Sequence, residues 1–262
     1  MTRWAYYLPF GYFLSTRVTT WQARISWVMI YFVPLILILL CFSPEPQANH
    51  VVQLLMATVC TYVIYELGYI ENDTVTIRRE VEPTLRLDDL EQEYIADYWL
   101  VIILVRLVVA VALFNYLSSS PGTLLYLGSL LCLALVFPLY NRRRSSVNAA
   151  LHPVLVTARY CGPLLLLMPD LVVFIYALLM FPILNGLERG AEHRYQIRLL
   201  QGVSLANGNS GRWAYYLLVL LGWLGVCAFS DLGWLTAIPL LYMLLYRLIA
   251  PWIIKRVGEH QI

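Results

Sequence analysis

Glu66, Asp73 and Glu80 stand at intervals of seven where an apolar run gives way to charge, with Tyr69, Asn72 and Thr76 between them. Asp73, Thr76 and Glu80 are spaced by three and four, and the same spacing recurs at Asn185, Glu188 and Glu192. Positions i, i+3 and i+7 share one face of a helix, so the spacing predicts two polar stripes. Converging carboxylates repel unless a cation neutralises them. Hard oxygen donors left partly open suit Mg²⁺, which takes one or two carboxylates together with phosphate oxygens of a substrate. Arg78, Arg79, Arg86 and Arg189 lie close to the stripes in sequence, and guanidinium groups clamp phosphate oxygens in pairs. The chemistry these residues suggest is the holding of a phosphate-bearing ligand; the competing expectation is a solvated, salt-bridged loop.

The elements that must position them are apolar. The 262 residues are 60% hydrophobic and 13% charged, with a mean hydropathy of +0.68, against about 25% charged residues in a soluble domain. Eight apolar runs are long enough to be read as spans: Ser26–Phe42, Val51–Ile70, Ile95–Leu117, Leu124–Tyr140, Ala149–Met168, Leu171–Leu184, Trp213–Phe229 and Trp234–Ile249. Leu171–Leu184 is the shortest. A β-barrel's alternating ten-residue strands are absent. The expectation is an all-α polytopic bundle of about eight transmembrane helices in one membrane domain, 1–262. The recurring acidic spacing after the second and sixth spans divides it into two parallel four-helix repeats, 1–148 and 149–262. Alternating-access carriers more often use inverted repeats, which counts against a transporter.

Arginine and lysine gather in alternate loops, at Arg17 and Arg24, Arg78 to Arg86, Arg142 to Arg144, Arg189 to Arg198, and Arg247 to Arg256. The intervening loops, such as "SPEPQANH" and "SSSPG", carry none. The positive-inside rule places both chain ends and the acidic stripes in the cytoplasm. The opening "RWAYYLPFGYFLSTRVTTW" reads as an interfacial segment rich in Trp and Tyr, not as a cleaved signal. Five cysteines sit singly in apolar runs and read as small core residues. The net charge of +2 gives no reason to expect a nucleic-acid partner. The four histidines are scattered and suggest no general base. Glu66 lies inside the membrane edge, where an ionisable group costs about 2.5–3.5 kcal/mol. Arg106 and Arg159 fall well inside the third and fifth spans and need either a carboxylate such as Glu66 or Asp97, or a lipid phosphate.

"NDTVTIRRE" (Asn72–Glu80) resembles the NDxxDxxxD signature of the UbiA superfamily of intramembrane prenyltransferases. "NGLERGAE" (Asn185–Glu192) is similar to that family's second acidic motif, DxxDxxxD, at its position after the sixth span. "RVTTW" (Arg17–Trp21) and "PLYNRRRSSVNA" (Pro138–Ala149) add to the resemblance, which covers most of the chain in order. The chain departs from the pattern at Thr76, Glu80, Asn185, Glu188 and Glu192, and the family usually has nine spans. The resemblance implies Mg²⁺ held by Asp73 and Glu80 on one wall and Glu188 and Glu192 on the other, the four acting as catalytic residues. Together with the stripes and the nearby arginines, it makes Glu66, Tyr69, Asn72, Arg78, Arg86, Arg142, Arg159, Asn185 and Arg189 the expected substrate-binding residues. Its donor carries a diphosphate, and its acceptor is lipid-soluble. "TARYCG" (Thr157–Gly162) is similar to a branch that transfers phosphoribosyl from phosphoribosyl pyrophosphate to polyprenyl phosphate. Isoprenyl transfer is the leading expectation, phosphoribosyl transfer the second, and a noncatalytic scaffold or carrier the third.

Overall fold

A computed structural model describes residues 2–43, 48–79, 84–143, 145–192, 195, 197 and 209–259. Among them are ten α-helices and no strand: α1 (Gly11–Thr16), α2 (Trp21–Phe42), α3 (Ala48–Glu71), α4 (Asp89–Leu117), α5 (Thr123–Arg142), α6 (Val147–Leu167), α7 (Leu171–Met180), α8 (Pro182–Gly190), α9 (Asn209–Ala228) and α10 (Ile238–Glu259). Seven stretches are long and apolar enough to cross a membrane, within α2 to α6, α9 and α10. At 1.5 Å per residue, about 20 residues cover the hydrocarbon core. An eighth crossing is made if α7 and α8 are taken together. They meet at 42°, where Pro182 at the start of α8 brings no N–H to continue the helix. That break falls in the shortest apolar run. The protein is an integral, multi-pass all-α membrane bundle.

Local signals set the helix starts. Thr20 accepts from the Ala23 amide at 3.2 Å, and Asp170 accepts from Val172 and Val173 at 2.8 and 3.1 Å. Asp88 and Glu91 form a reciprocal capping box at the start of α4. The centre of the bundle belongs to α3 and α6: over half of each crossing window, 56%, is buried, against 22–33% for the other five. On α4, Leu100, Leu104, Val108 and Val111 form an outward stripe that contacts lipid. Gly68 lets α3 approach α5 so closely that a Cβ there would overlap the Phe137 ring.

The segment before α2 folds back onto the bundle, with Tyr6 and Tyr12 buried while Trp4 and Leu8 face outward. Phe10 takes a left-handed backbone (φ 61°), and a Cβ on Gly11 would stand 2.7 Å from the Ala5 carbonyl oxygen, so the turn needs glycine at 11. A non-helical backbone in an apolar interior must find hydrogen-bond partners. Arg106 supplies them. Its Nε donates to the Tyr6 carbonyl at 2.7 Å and Nη2 to that of Leu8 at 3.3 Å. Nη1 donates to Glu66 at 2.8 Å, and the other Glu66 oxygen accepts from the Phe13 amide at 2.6 Å. Glu66 and Arg106 are both fully buried, and their pairing neutralises the two charges.

Candidate functional site

At its C-terminal end α3 does not continue as an α-helix. Asn72–Thr76 forms one π turn, closed by the Ile77 amide on the Asn72 carbonyl, before a 3₁₀ turn at Ile77–Arg79. Single π turns inside helices are rare and concentrate at functional sites. The turn buries Asp73, Thr74 and Thr76, so the first stripe lies on a widened turn and not on an α-helical face. Asp73 accepts from Tyr12 Oη at 2.7 Å, from Asn72 Nδ2 at 3.0 Å and from Arg86 Nη1 at 3.3 Å. Arg17 meets it with both terminal nitrogens, each at 2.9 Å. Burial works against the Arg17 charge, but the hydrogen bond and charge of Asp73 outweigh it and raise its pKa. Burial, reinforced by the Asp73 charge, raises the pKa of Tyr12 and keeps its phenol a donor.

In the second motif, Asn185 and Glu188 lie on α8 and Glu192 lies beyond its end. Asn185 Oδ1 is 2.8 Å from His152 Nε2. Glu188 accepts from Arg212 Nε at 2.5 Å, beside a recess of about 200 Å³ between Phe181 and Arg247. Arg189 bridges two groups, donating to Glu192 at 2.6 Å and to the Tyr140 hydroxyl at 2.6 Å.

Between the two motifs lies a cavity of about 320 Å³. Arg17, Arg86 and Arg189 reach it from three separate segments, with Asn72, Asn141 and His152 adding polar groups. Tyr65, Tyr69, Phe137 and Tyr140 make an aromatic wall, and the Arg17 guanidinium lies 4.4 Å over the Tyr69 ring. Leu155 also lines the cavity, and one helical turn further along α6 is Arg159. Arg159 is buried among tyrosine rings, at 4.5 Å from Tyr65, 5.5 Å from Tyr31 and 5.8 Å from Tyr62. It has no carboxylate partner among the described residues, and both its Nε and the Tyr62 hydroxyl lack a hydrogen bond.

The structure therefore places Tyr69, Asn72, Arg86 and Arg189 in the wall of one cavity, with Asp73, Asn185 and Glu192 one hydrogen bond behind. Glu66 is committed to Arg106 and Glu188 to Arg212, both away from that wall. Arg78 and Arg142 are exposed, and Glu80 lies outside the described residues. Tyr12, Tyr140, Asn141 and His152 were not anticipated as site residues, and Arg17 was noted only as a loop cation and in "RVTTW". The isolated "YNR" before a basic run hints at Tyr140 and Asn141; nothing near His152 in sequence announces its partner, 33 residues away.

Mg²⁺ needs carboxylate oxygens with free lone pairs, and among the described residues Asp73 offers none: Tyr12, Arg17, Asn72 and Arg86 occupy its oxygens, while Glu188 and Glu192 each accept from one arginine. Among the described residues no three His, Cys, Asp or Glu side chains converge as a metal site. No protein-family model matches the chain, nor does any curated protein or solved structure.

Proposed function

We propose that the chain is an intramembrane transferase of the UbiA type, taking an isoprenyl group from a prenyl diphosphate to a lipid-soluble acceptor. The observation that carries this reading is the convergence of Arg17, Arg86 and Arg189 on a cavity that Tyr65, Tyr69, Phe137 and Tyr140 also line. Guanidinium groups suit the diphosphate and the negative charge that develops as it leaves. Tyrosine faces suit an allylic cation and the hydrocarbon attached to it. The chain ends and this cavity face the cytoplasm on this reading, following the arginine-rich loops. A specific observation favours the second reading, phosphoribosyl transfer to polyprenyl phosphate: Arg159 is a buried cation without a carboxylate among the described residues, and a lipid phosphate would supply an anion.

Thermal unfolding of the detergent-solubilised chain tests both. A ligand at one hundred times its Kd stabilises by about 2.7 kcal/mol. Geranylgeranyl diphosphate is expected to raise the melting temperature by several degrees. A rise with phosphoribosyl pyrophosphate and polyprenyl phosphate alone would replace the first reading by the second. A melting temperature indifferent to all three would remove both.

A further inference from the structure

We infer that this cavity binds the phosphate end of its ligand through guanidinium groups directly, with Asp73 as the positioning residue that aims Arg17 and Arg86 and not as a metal ligand. For the class of ligand, an oxyanion carried on phosphate, the inference rests on the transferase reading.

An ionised carboxylate offers about four lone-pair sites. Asp73 meets Tyr12, Asn72, Arg86 and both terminal nitrogens of Arg17. Its acceptor capacity is spent on neighbours that hold it from four directions. A divalent ion arriving at Asp73 would displace those donors and then face two guanidinium charges at close range.

The donors are in the opposite state. An arginine has five N–H groups in a fixed fork. Arg86 uses one on Asp73, and its side chain stays about one-third exposed at the cavity rim. Arg189 gives Nη1 to Glu192 and Nη2 to Tyr140, while its Nε is buried without an acceptor. Arg17 and Arg86 share one carboxylate among the described residues, and Glu71 stands behind Asn141. Guanidinium N–H groups that line a low-dielectric recess favour an oxyanion. Asp73 fixes where two of the forks point, as a carboxylate does when it aligns a guanidinium for phosphate.

The test is titration of inorganic pyrophosphate into the full chain in detergent, followed by calorimetry and by thermal unfolding, in EDTA and again in excess Mg²⁺. Geranylgeranyl diphosphate serves as the second probe. Pyrophosphate is expected to bind in EDTA as tightly as in Mg²⁺. Arg86→Gln is expected to weaken that binding by about tenfold or more, the loss of one charge-assisted hydrogen bond. Its melting temperature without ligand should stay at the wild-type value, because Arg86 is at the rim. Binding that requires Mg²⁺ would overturn the inference and leave the transferase reading standing. So would pyrophosphate that fails while geranylgeranyl diphosphate binds, or an Arg86→Gln variant that binds pyrophosphate like wild type. Failure of both probes in both buffers would overturn the reading of the cavity together with the inference.

Discussion

Asp73 and Glu66 are both buried carboxylates paired with arginine, and they differ in what surrounds the pair. Asp73 backs onto a cavity, whereas Glu66 and Arg106 are fully enclosed and hold backbone groups of the segment before α2. Removing one partner of a buried pair leaves an uncompensated charge and costs about 3–5 kcal/mol. Arg106→Met is therefore expected to lower stability by that amount, read as a fall in melting temperature. Adding Glu66→Gln should recover much of the loss. If the double variant is no more stable than the single one, the neutralising role of the pair is wrong. At this scale charge at the edge of an apolar run draws the eye to Tyr69, Asn72, Asp73, Arg86 and Arg189, which lie on or directly behind one cavity, and equally to Arg78, which is exposed. The sequence could not show Arg17 or His152, whose partners come from segments 56 and 33 residues away.

Among the elements, the eight apolar runs were legible because hydrocarbon thickness sets their length. The π turn was not legible, since spacings of three and four were read with α-helical periodicity. Composition did not show how the segment before α2 packs: Arg106 and Glu66, one on each of two later helices, bond its backbone. The packing of α3 on α5 gives a test at this scale. Phe137 lines the cavity and lies against Gly68, where a methyl group would overlap its ring. Gly68→Ala is expected to destabilise by about 1–3 kcal/mol, the usual cost of overpacking. The displaced ring should also weaken geranylgeranyl diphosphate binding, measured by the same thermal shift. A variant with wild-type stability and ligand response would show that the contact is loose.

Across the whole molecule, the cavity is assembled from segments distant in sequence: Arg17 before the first crossing, Arg86 before α4, His152 on α6 and Arg189 on α8. No single helix contains the site, so it exists only once the bundle has closed around α3 and α6. The segment before α2 then has an unusual history. It is made before every helix that holds it, yet Glu66 lies in the second crossing and Arg106 in the third. Its docking must wait for both, so a stretch made before these helices reaches its place only after them. Cysteine-labelling of an Ala5→Cys variant during synthesis should find that position, buried in the folded protein, reactive until α4 has been inserted and protected afterwards. Protection before Arg106 has emerged would contradict that order. Assembly thus carries its own proofreading: a chain that inserts its first crossings without the third leaves Tyr12 and Arg17 undocked, and with them the site incomplete.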